Sequence, residues 1–180
     1  GLQRASGATM IASAADRPTL EAGAIGFGPT KDMPFPPIRV DRVVGDGGRV
    51  TLGGISLTAH LTPGHTQVCT SWSMPVKGAD GARHTAIFHC SSTVAGQSLH
   101  PESWPGMIAA YRKSFARFRT LKADVLLAAH GNFFDLESRR TKQLAGDPNA
   151  FVDPDALQRL NASMERAFEA ELKDQTGISR

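Results

Sequence analysis

The arrangement of apolar and polar residues divides this chain into short strands followed by longer amphipathic helices. Three segments alternate apolar with polar residues at the two-residue period of a half-buried strand, and they span residues 50–62, 69–76 and 83–90. Glycine-containing turns at 46–48 and 78–81 predict two hairpins, one pairing 39–44 with 50–61 and the other pairing 69–76 with 83–90. A shorter apolar run at 8–13 is expected to form a buried strand.

Apolar positions spaced three and four residues apart predict the helices. They cover 14–22, the second part of 98–121, 134–144 and 154–173. Asp16 is expected to cap the first of these helices, with Pro18 in its first turn. Residues 1–7 have the polar pattern of a helix end, and Gly7 is expected to stop that helix.

The two longer helices each have one apolar face that predicts how they pack. In the first, that face consists of Ile108, Tyr111, Phe115 and Phe118, and in the second of Leu157, Leu160, Met164 and Phe168. An apolar strand at 125–129 lies between them in the chain. Because antiparallel strands come first and helices then alternate with a strand, the sequence predicts an α+β fold of sheet and helix layers.

The segment 23–37 is predicted to be a loop, since it holds three glycines and four prolines. It also carries Ile25, Phe27, Met33 and Phe35, which soluble proteins rarely leave exposed without a reason. Two interpretations stay open for it. The loop either packs down on the core or forms a flap over a substrate.

Length and charge exclude several classes of protein. A chain of 180 residues with 41% hydrophobic residues suits one domain. The net charge is only +3, and the densest basic group, 111–119, has the spacing of the solvated face of a helix, which argues against a nucleic-acid partner. No apolar run approaches the roughly 18 residues that a membrane span needs.

The segment Thr62-Pro-Gly-His65-Thr66 is the strongest chemical signal in the chain. A Pro-Gly turn after a strand restricts the imidazole of His65 before any metal binds, as a metal ligand requires. The alternative is that His65 is only a turn residue. Thr66 would hydrogen-bond the turn, and the same bond would orient a ligand if His65 binds metal.

A second histidine, His130, also ends an apolar strand and enters a glycine-containing loop, so it is predicted to lie at the same sheet edge as His65. His60, His84 and His100 are expected to be structural or solvated, whereas His89 stays open. Two histidines do not complete a catalytic zinc site, which usually takes three protein ligands and a water.

The two cysteines, Cys69 and Cys90, are predicted to face each other across the second hairpin. A turn centred between 78 and 81 pairs residues whose numbers sum to 159, and 69 plus 90 is 159. Opposed residues lie about 4.5–5.5 Å apart at their Cα atoms, which a disulfide can span. A zinc site built on the two thiolates and two free thiols are the alternatives.

Several blocks together resemble the metallo-β-lactamases of subclass B3, over nearly the whole chain. The blocks are Gly1-Leu-Gln-Arg-Ala-Ser-Gly-Ala-Thr9, the loop from Phe27-Gly-Pro to Pro37 with Asp41-Arg-Val-Val44, Thr62-Pro-Gly-His65-Thr66 with Thr70-Ser-Trp72, Cys90-Ser91-Ser92-Thr93, and Tyr111-Arg-Lys-Ser-Phe-Ala116 leading to His130. The resemblance implies an αββα sandwich, of which this chain has mainly the second αβ half. It also implies a zinc-dependent hydrolase of β-lactams that is exported to the periplasm or secreted.

The resemblance also assigns roles to particular residues. His65 matches the third ligand of the first zinc, and His130 matches the last ligand of the second. Ser91 and Thr93 match residues that contact the β-lactam carboxylate or its water network, although the family usually has serine where Thr93 stands. Phe27 lies in the loop that flanks the active site. The family's oxidising compartment implies that Cys69 and Cys90 form a disulfide.

One departure from the family pattern is large. The family's His-x-His-x-Asp-His motif, which supplies two ligands to each zinc, is absent and is expected just before Gly1. The chain is therefore expected to be an N-terminally truncated single domain whose inward sheet face is apolar and uncovered, or covered by a second copy. The alternatives are a glyoxalase II-like hydrolase or another metallo-hydrolase, and a non-catalytic fragment that assembles with a partner chain.

Overall fold

A computed structural model describes residues 2–79 and 81–177 of the chain. Its elements, in chain order, are α1 (Leu2–Ser6), β1 (Ile11–Ser13), α2 (Asp16–Ala22), β2 (Arg42–Val44), β3 (Arg49–Leu52), β4 (Ile55–Leu61), β5 (Thr70–Lys77), β6 (Arg83–His89), α3 (Met107–Thr120), β7 (Val125–Ala128), a 3₁₀ turn (Gly131–Phe134), α4 (Leu136–Leu144) and α5 (Ala156–Thr176). The mixture of sheets and helices confirms the predicted fold class.

The strands form two sheets. The larger has the order β3-β4-β5-β6-β7, antiparallel except for the parallel pair β6–β7, and the smaller is the parallel pair β1–β2. The first predicted hairpin is therefore wrong, because β2 pairs with β1 and not with the strand that follows it. The segment 50–61 instead folds back on itself at Gly53-Gly54, whose φ angles of 58° and 80° suit a two-residue hairpin turn.

The second hairpin forms as predicted, but its register is shifted by one residue. Trp72 lies opposite Phe88 and Lys77 opposite Arg83, so paired numbers sum to 160 and not 159. The cause is the turn, which closes when the Gly78 N–H donates to the Ala82 carbonyl at 2.8 Å. A shift of one residue exchanges the two faces of a strand, so register arithmetic alone assigns side chains to the wrong side.

Helices α3 and α5 pack together against one face of the larger sheet. Ile87 and Leu126 of the sheet share one buried cluster with Phe118 and Leu157 of the helices. A second cluster joins Leu99, Trp104, Met107, Tyr111, Phe115 and Phe168. The apolar faces predicted for both helices are confirmed, with Ile108 and Met164 packed at their margins.

The other face of the larger sheet carries a row of apolar residues formed by Ala59, Trp72, Phe88 and Leu127, which are paired across four strands. Ala59 is fully buried, but Phe88 is 38% exposed. The predicted apolar inward face is thus present, and part of it is open to solvent.

The helix ends differ in detail from the prediction. Asp16 is the first residue of α2 and not its cap; its N–H instead donates to the hydroxyl of Ser13 at 3.1 Å. Gly7 ends α1 as predicted, with a φ of 68° and its N–H bonded to the Gln3 carbonyl. Helix α3 begins beside the carboxylate of Glu102, which accepts from the N–H groups of Gly106 and Ile108, and these bonds lower the pKa of Glu102.

Candidate metal centre

Three loops that carry predicted site residues meet at one edge of the larger sheet. Leu61 at the end of β4 pairs with Thr70 at the start of β5, so the connection with His65 lies at this edge. His89 at the end of β6 pairs with Ala128 at the end of the parallel strand β7. The segment 91–93 and His130 follow these two strand ends. The strand directions therefore bring the loops of His65 and His130 to the same sheet edge.

The imidazole of His65 is held by the segment after β6. Its Nδ1 lies 2.8 Å from the carbonyl oxygen of Thr93 and 3.3 Å from the Thr93 hydroxyl. A carbonyl oxygen can only accept, so Nδ1 is the donor, and the neutral imidazole of this tautomer has its lone pair on Nε2. A histidine fixed in this way presents Nε2 to a metal, as ligating histidines commonly do.

The Pro-Gly turn before His65 is packed against helix α3. Gly64 has a φ of 143°, and a Cβ on it would come within 2.6 Å of the Tyr111 ring. Only glycine fits this close approach. The hydroxyl of Ser114 donates to the Pro63 carbonyl at 2.6 Å, and the side-chain amide of Gln97 donates to the His65 carbonyl at 2.9 Å. The loop is therefore anchored on both sides of the imidazole.

His130 is exposed and follows the last residues of β7 in extended conformation, with a φ of −119°. Its ring meets the ring of Phe133 edge to face, with centroids 5.5 Å apart. The 3₁₀ turn 131–134 begins directly after it. His130 is thus placed by the sheet edge, while its ring nitrogens are left open to solvent or a ligand.

The remaining predicted site residues differ in how closely they are tied to His65. The Ser91 hydroxyl lies 3.2 Å from the Thr93 hydroxyl, and Ser91 is 9% exposed. Thr66 closes the turn through its carbonyl, which accepts from the Gly64 N–H at 2.8 Å. Phe27 lies edge to face on Trp104 with centroids 6.4 Å apart, so this part of the 23–37 loop packs on the core. Met33, farther along the loop, is 64% exposed.

Cys69 and Cys90 form a disulfide, with their Cα atoms 5.9 Å apart. The predicted pairing is confirmed, although the register argument for it was off by one residue. The bond forms beyond the last ladder pair, Trp72–Phe88, where the Cys90 N–H donates to the Ser71 hydroxyl at 3.1 Å. The disulfide joins the His65 loop to the segment that holds the imidazole.

His89, which the sequence left open, is 4% exposed at the end of β6. Its Nε2 lies 3.0 Å from the Ser92 hydroxyl, and its ring lies 4.8 Å from that of Phe118. Burial, aided by the nearby His65, lowers the pKa of His89 to about 4, so it is neutral at pH 7. His60 is also buried, bonded to Ser73 at 2.8 Å, and burial lowers its pKa.

The described residues place the loops of two candidate histidine ligands at one sheet edge and provide no larger set of ligands. Over residues 2–79 and 81–177, no group of three or more His, Cys, Asp and Glu side chains could hold a metal ion. The free Nε2 of His65 and the open ring of His130 fit the chemistry of zinc, which binds neutral imidazole. These two imidazoles would be only part of a catalytic zinc site, because such a zinc takes three protein ligands.

Tyr111, Ser114 and Gln97 contact the His65 loop and were not among the predicted site residues. The apolar spacing of α3 marks Tyr111 as a core residue, and Ser114 and Gln97 have no motif around them. Their polar atoms make these contacts across separations of 18 to 51 residues. The presence of a tyrosine among the phenylalanines of the buried face was the one available signal.

Solved structures similar to this chain are metallo-β-lactamases. A subclass B3 enzyme of Bradyrhizobium japonicum is 38% identical with a TM-score of 0.91, and the match covers 98% of this chain and 67% of that one. The enzyme of Cronobacter sakazakii with a HARLDQ motif is 35% identical with a TM-score of 0.90, covering 99% and 64%. The native enzyme of Legionella gormanii is 30% identical, also with a TM-score of 0.90, covering 97% and 68%.

No protein-family model matches the chain. The structural matches, however, combine more than 30% identity with two-thirds coverage of a relative. The chain therefore belongs to the subclass B3 metallo-β-lactamases, and the predicted resemblance is confirmed. It spans about two-thirds of the length of the relatives it matches, 67% in the Bradyrhizobium case.

Proposed function

We propose that the polypeptide carrying this chain hydrolyses the amide bond of β-lactams with zinc and water. The observation that carries the proposal is the state of His65, whose Nδ1–H is bonded to the Thr93 carbonyl while Nε2 is free. This state supports a role as a zinc ligand in a chain that belongs to a family of metallo-hydrolases. His130, at the same sheet edge, would hold the second ion.

The chain's own residues would position the reacting groups. Bound zinc supplies the chemistry by lowering the pKa of a coordinated water to about 7. The hydroxyl of Thr93 lies next to His65, where it could donate to the carboxylate of a lactam while its carbonyl holds the imidazole. Ser91, bonded to the Thr93 hydroxyl, would orient that donor, and Phe27 would border the substrate from the 23–37 loop.

A working centre needs more ligands than these two histidines. We propose that they come from outside the described residues or from another chain, so the isolated chain should bind zinc weakly and hydrolyse little. The disulfide of Cys69 and Cys90 favours an exported protein, in the periplasm or the medium. No helix among the described residues is long and apolar enough to cross a bilayer.

The test is zinc-dependent hydrolysis of a chromogenic cephalosporin by the full polypeptide, before and after treatment with a chelator. His65→Ala should abolish turnover and reduce the number of bound zinc ions. His100→Ala is the matched control, since His100 is exposed in another loop, and it should leave both unchanged. Hydrolysis of a thioester but not of the cephalosporin would replace the lactam with a glyoxalase II-type substrate. Absence of zinc binding to the full polypeptide would reject the proposal.

A further inference from the structure

Tyr111 is buried in the middle of α3, yet it has one polar contact that a phenylalanine could not make. The residue is 1% exposed and packs against Phe168, with ring centroids 4.8 Å apart. Its hydroxyl donates to the carbonyl oxygen of Thr93 at 2.7 Å. Buried tyrosines usually find a partner for the hydroxyl, but this partner is the same atom that holds His65.

The Thr93 carbonyl thus accepts two hydrogen bonds, from the phenol of Tyr111 and from Nδ1–H of His65 at 2.8 Å. A carbonyl oxygen has two lone pairs, so both donors can be served at once. One donor belongs to the rigid core and the other to the loop. The core therefore fixes the position of the Thr93 carbonyl, and the carbonyl in turn fixes the orientation of the His65 imidazole.

The face of the same ring supports the turn before His65. Gly64 lies so close to the Tyr111 ring that an added Cβ would come within 2.6 Å of it. Tyr111 consequently contacts two segments around the ligand, with its ring against the turn at Gly64 and its hydroxyl on the Thr93 carbonyl that holds the imidazole. Ser114, one turn later in α3, contacts only the turn, through the Pro63 carbonyl.

We infer that Tyr111 is a positioning residue for His65, fixing through the Thr93 carbonyl which ring nitrogen of His65 is free and where it points. The inference rests on the proposed role of His65 as a zinc ligand. It assigns to α3 a part in the metal centre as well as in the core. A loss of the phenol should therefore change the state of the imidazole without removing any metal ligand.

The test compares Tyr111→Phe with Ser114→Ala in the full polypeptide. Both remove one hydroxyl of α3 that donates to a loop carbonyl, but only the first removes it from Thr93. In metal-free protein with ¹⁵N-labelled histidine, Tyr111→Phe should lower the fraction of His65 protonated at Nδ1, and Ser114→Ala should not. In titrations with zinc alone, Tyr111→Phe should weaken binding by about 3- to 10-fold, at or below the 10–100-fold effect of a direct partner of a ligand.

A second measurement uses the fact that Tyr111 is the only tyrosine of the chain. Incorporation of 3-fluorotyrosine labels one site within this chain and retains the hydroxyl, and the Tyr111→Phe variant assigns the resonance of that site in the full polypeptide. Zinc should shift the ¹⁹F resonance of Tyr111, and His65→Ala should abolish that shift.

The inference would be overturned by an unchanged His65 tautomer in Tyr111→Phe, or by a ¹⁹F resonance that does not move at saturating zinc. Failure to bind zinc at all would instead count against the proposed function, because the tautomer is measured without metal. The two failures are therefore separate.

Discussion

The buried imidazole of His89 makes the stability of this protein depend on pH between about 4 and 6.5. Its pKa is lowered from 6.5 to about 4, with burial as the main cause and the neighbouring His65 as the second. His89 is therefore protonated near pH 6.5 in the unfolded chain but only near pH 4 in the folded chain. Between these two pH values only the unfolded chain is protonated at this residue, which favours the unfolded state. The free energy of unfolding therefore decreases as the pH falls from about 6.5 to about 4.

The magnitude follows from the size of the shift. At 1.36 kcal/mol per pKa unit, the full effect is about 3 kcal/mol, of which about 2 kcal/mol is lost between pH 7 and pH 5. That is a large fraction of the stability of an ordinary domain. The Nδ1 atom of His89 has no partner within the described part of the chain, so protonation gains nothing there.

The variant His89→Phe isolates this contribution. Phenylalanine keeps a ring against Phe118 and removes the buried ring nitrogens, at the cost of the bond to the Ser92 hydroxyl. Urea denaturation of the protein and the variant at pH 7 and pH 5 gives four free energies of unfolding. The decrease between the two pH values should be about 2 kcal/mol smaller in the variant. Equal decreases in both proteins would show that His89 is not held neutral by burial.

Three further outcomes follow from the packing. Gly64→Ala should lose about 1–3 kcal/mol of stability to backbone strain and weaken zinc binding, because its Cβ would collide with the Tyr111 ring; unchanged denaturation and zinc titration would contradict this. Replacing both Cys69 and Cys90 by serine, across a separation of 21 residues, should cost about 3 kcal/mol in urea denaturation, and an unchanged midpoint would refute it. Phe168→Ala should cost about 3–5 kcal/mol, since this ring is 1% exposed between two aromatic neighbours; the loss should be measurable by thermal unfolding, and Leu144→Ala, at a 71% exposed site, should show almost none.

The local patterns of the sequence predict most of this fold. The spacing of Phe115, Phe118, Leu157 and Phe168 gives the buried faces of both long helices, because helical period and burial are properties of neighbouring residues. The first predicted hairpin is wrong because neighbouring residues alone do not decide its pairing. Asp46-Gly-Gly48 and Gly53-Gly54 are both good local turns, and the parallel pairing of β1 with β2 that decides between them is not local.

The candidate site, too, can be predicted only in part from the sequence. His65 is recognisable because a short motif surrounds it, and the strand directions then place it at one edge with His130. The contacts that hold His65 come from Thr93 and Gln97, in the connection after β6, and Tyr111 of α3 adds to them through the Thr93 carbonyl. Such contacts depend on the final packing of α3, so the order of residues in the chain does not reveal them.

The sheet order also has a consequence for the sequence of events in folding. From β3 to β6 every paired neighbour is also a neighbour in the chain, so this part can form by successive hairpins with short loop closures. Strand β7 instead joins β6 in parallel after a crossover through α3, which requires a much longer closure. We expect the amides of β7 to gain protection last in pulse-labelled hydrogen exchange. The edge that carries both His65 and His130 would then be completed only in the final step, so a partly folded chain would have the loop of His65 in place before the loop of His130.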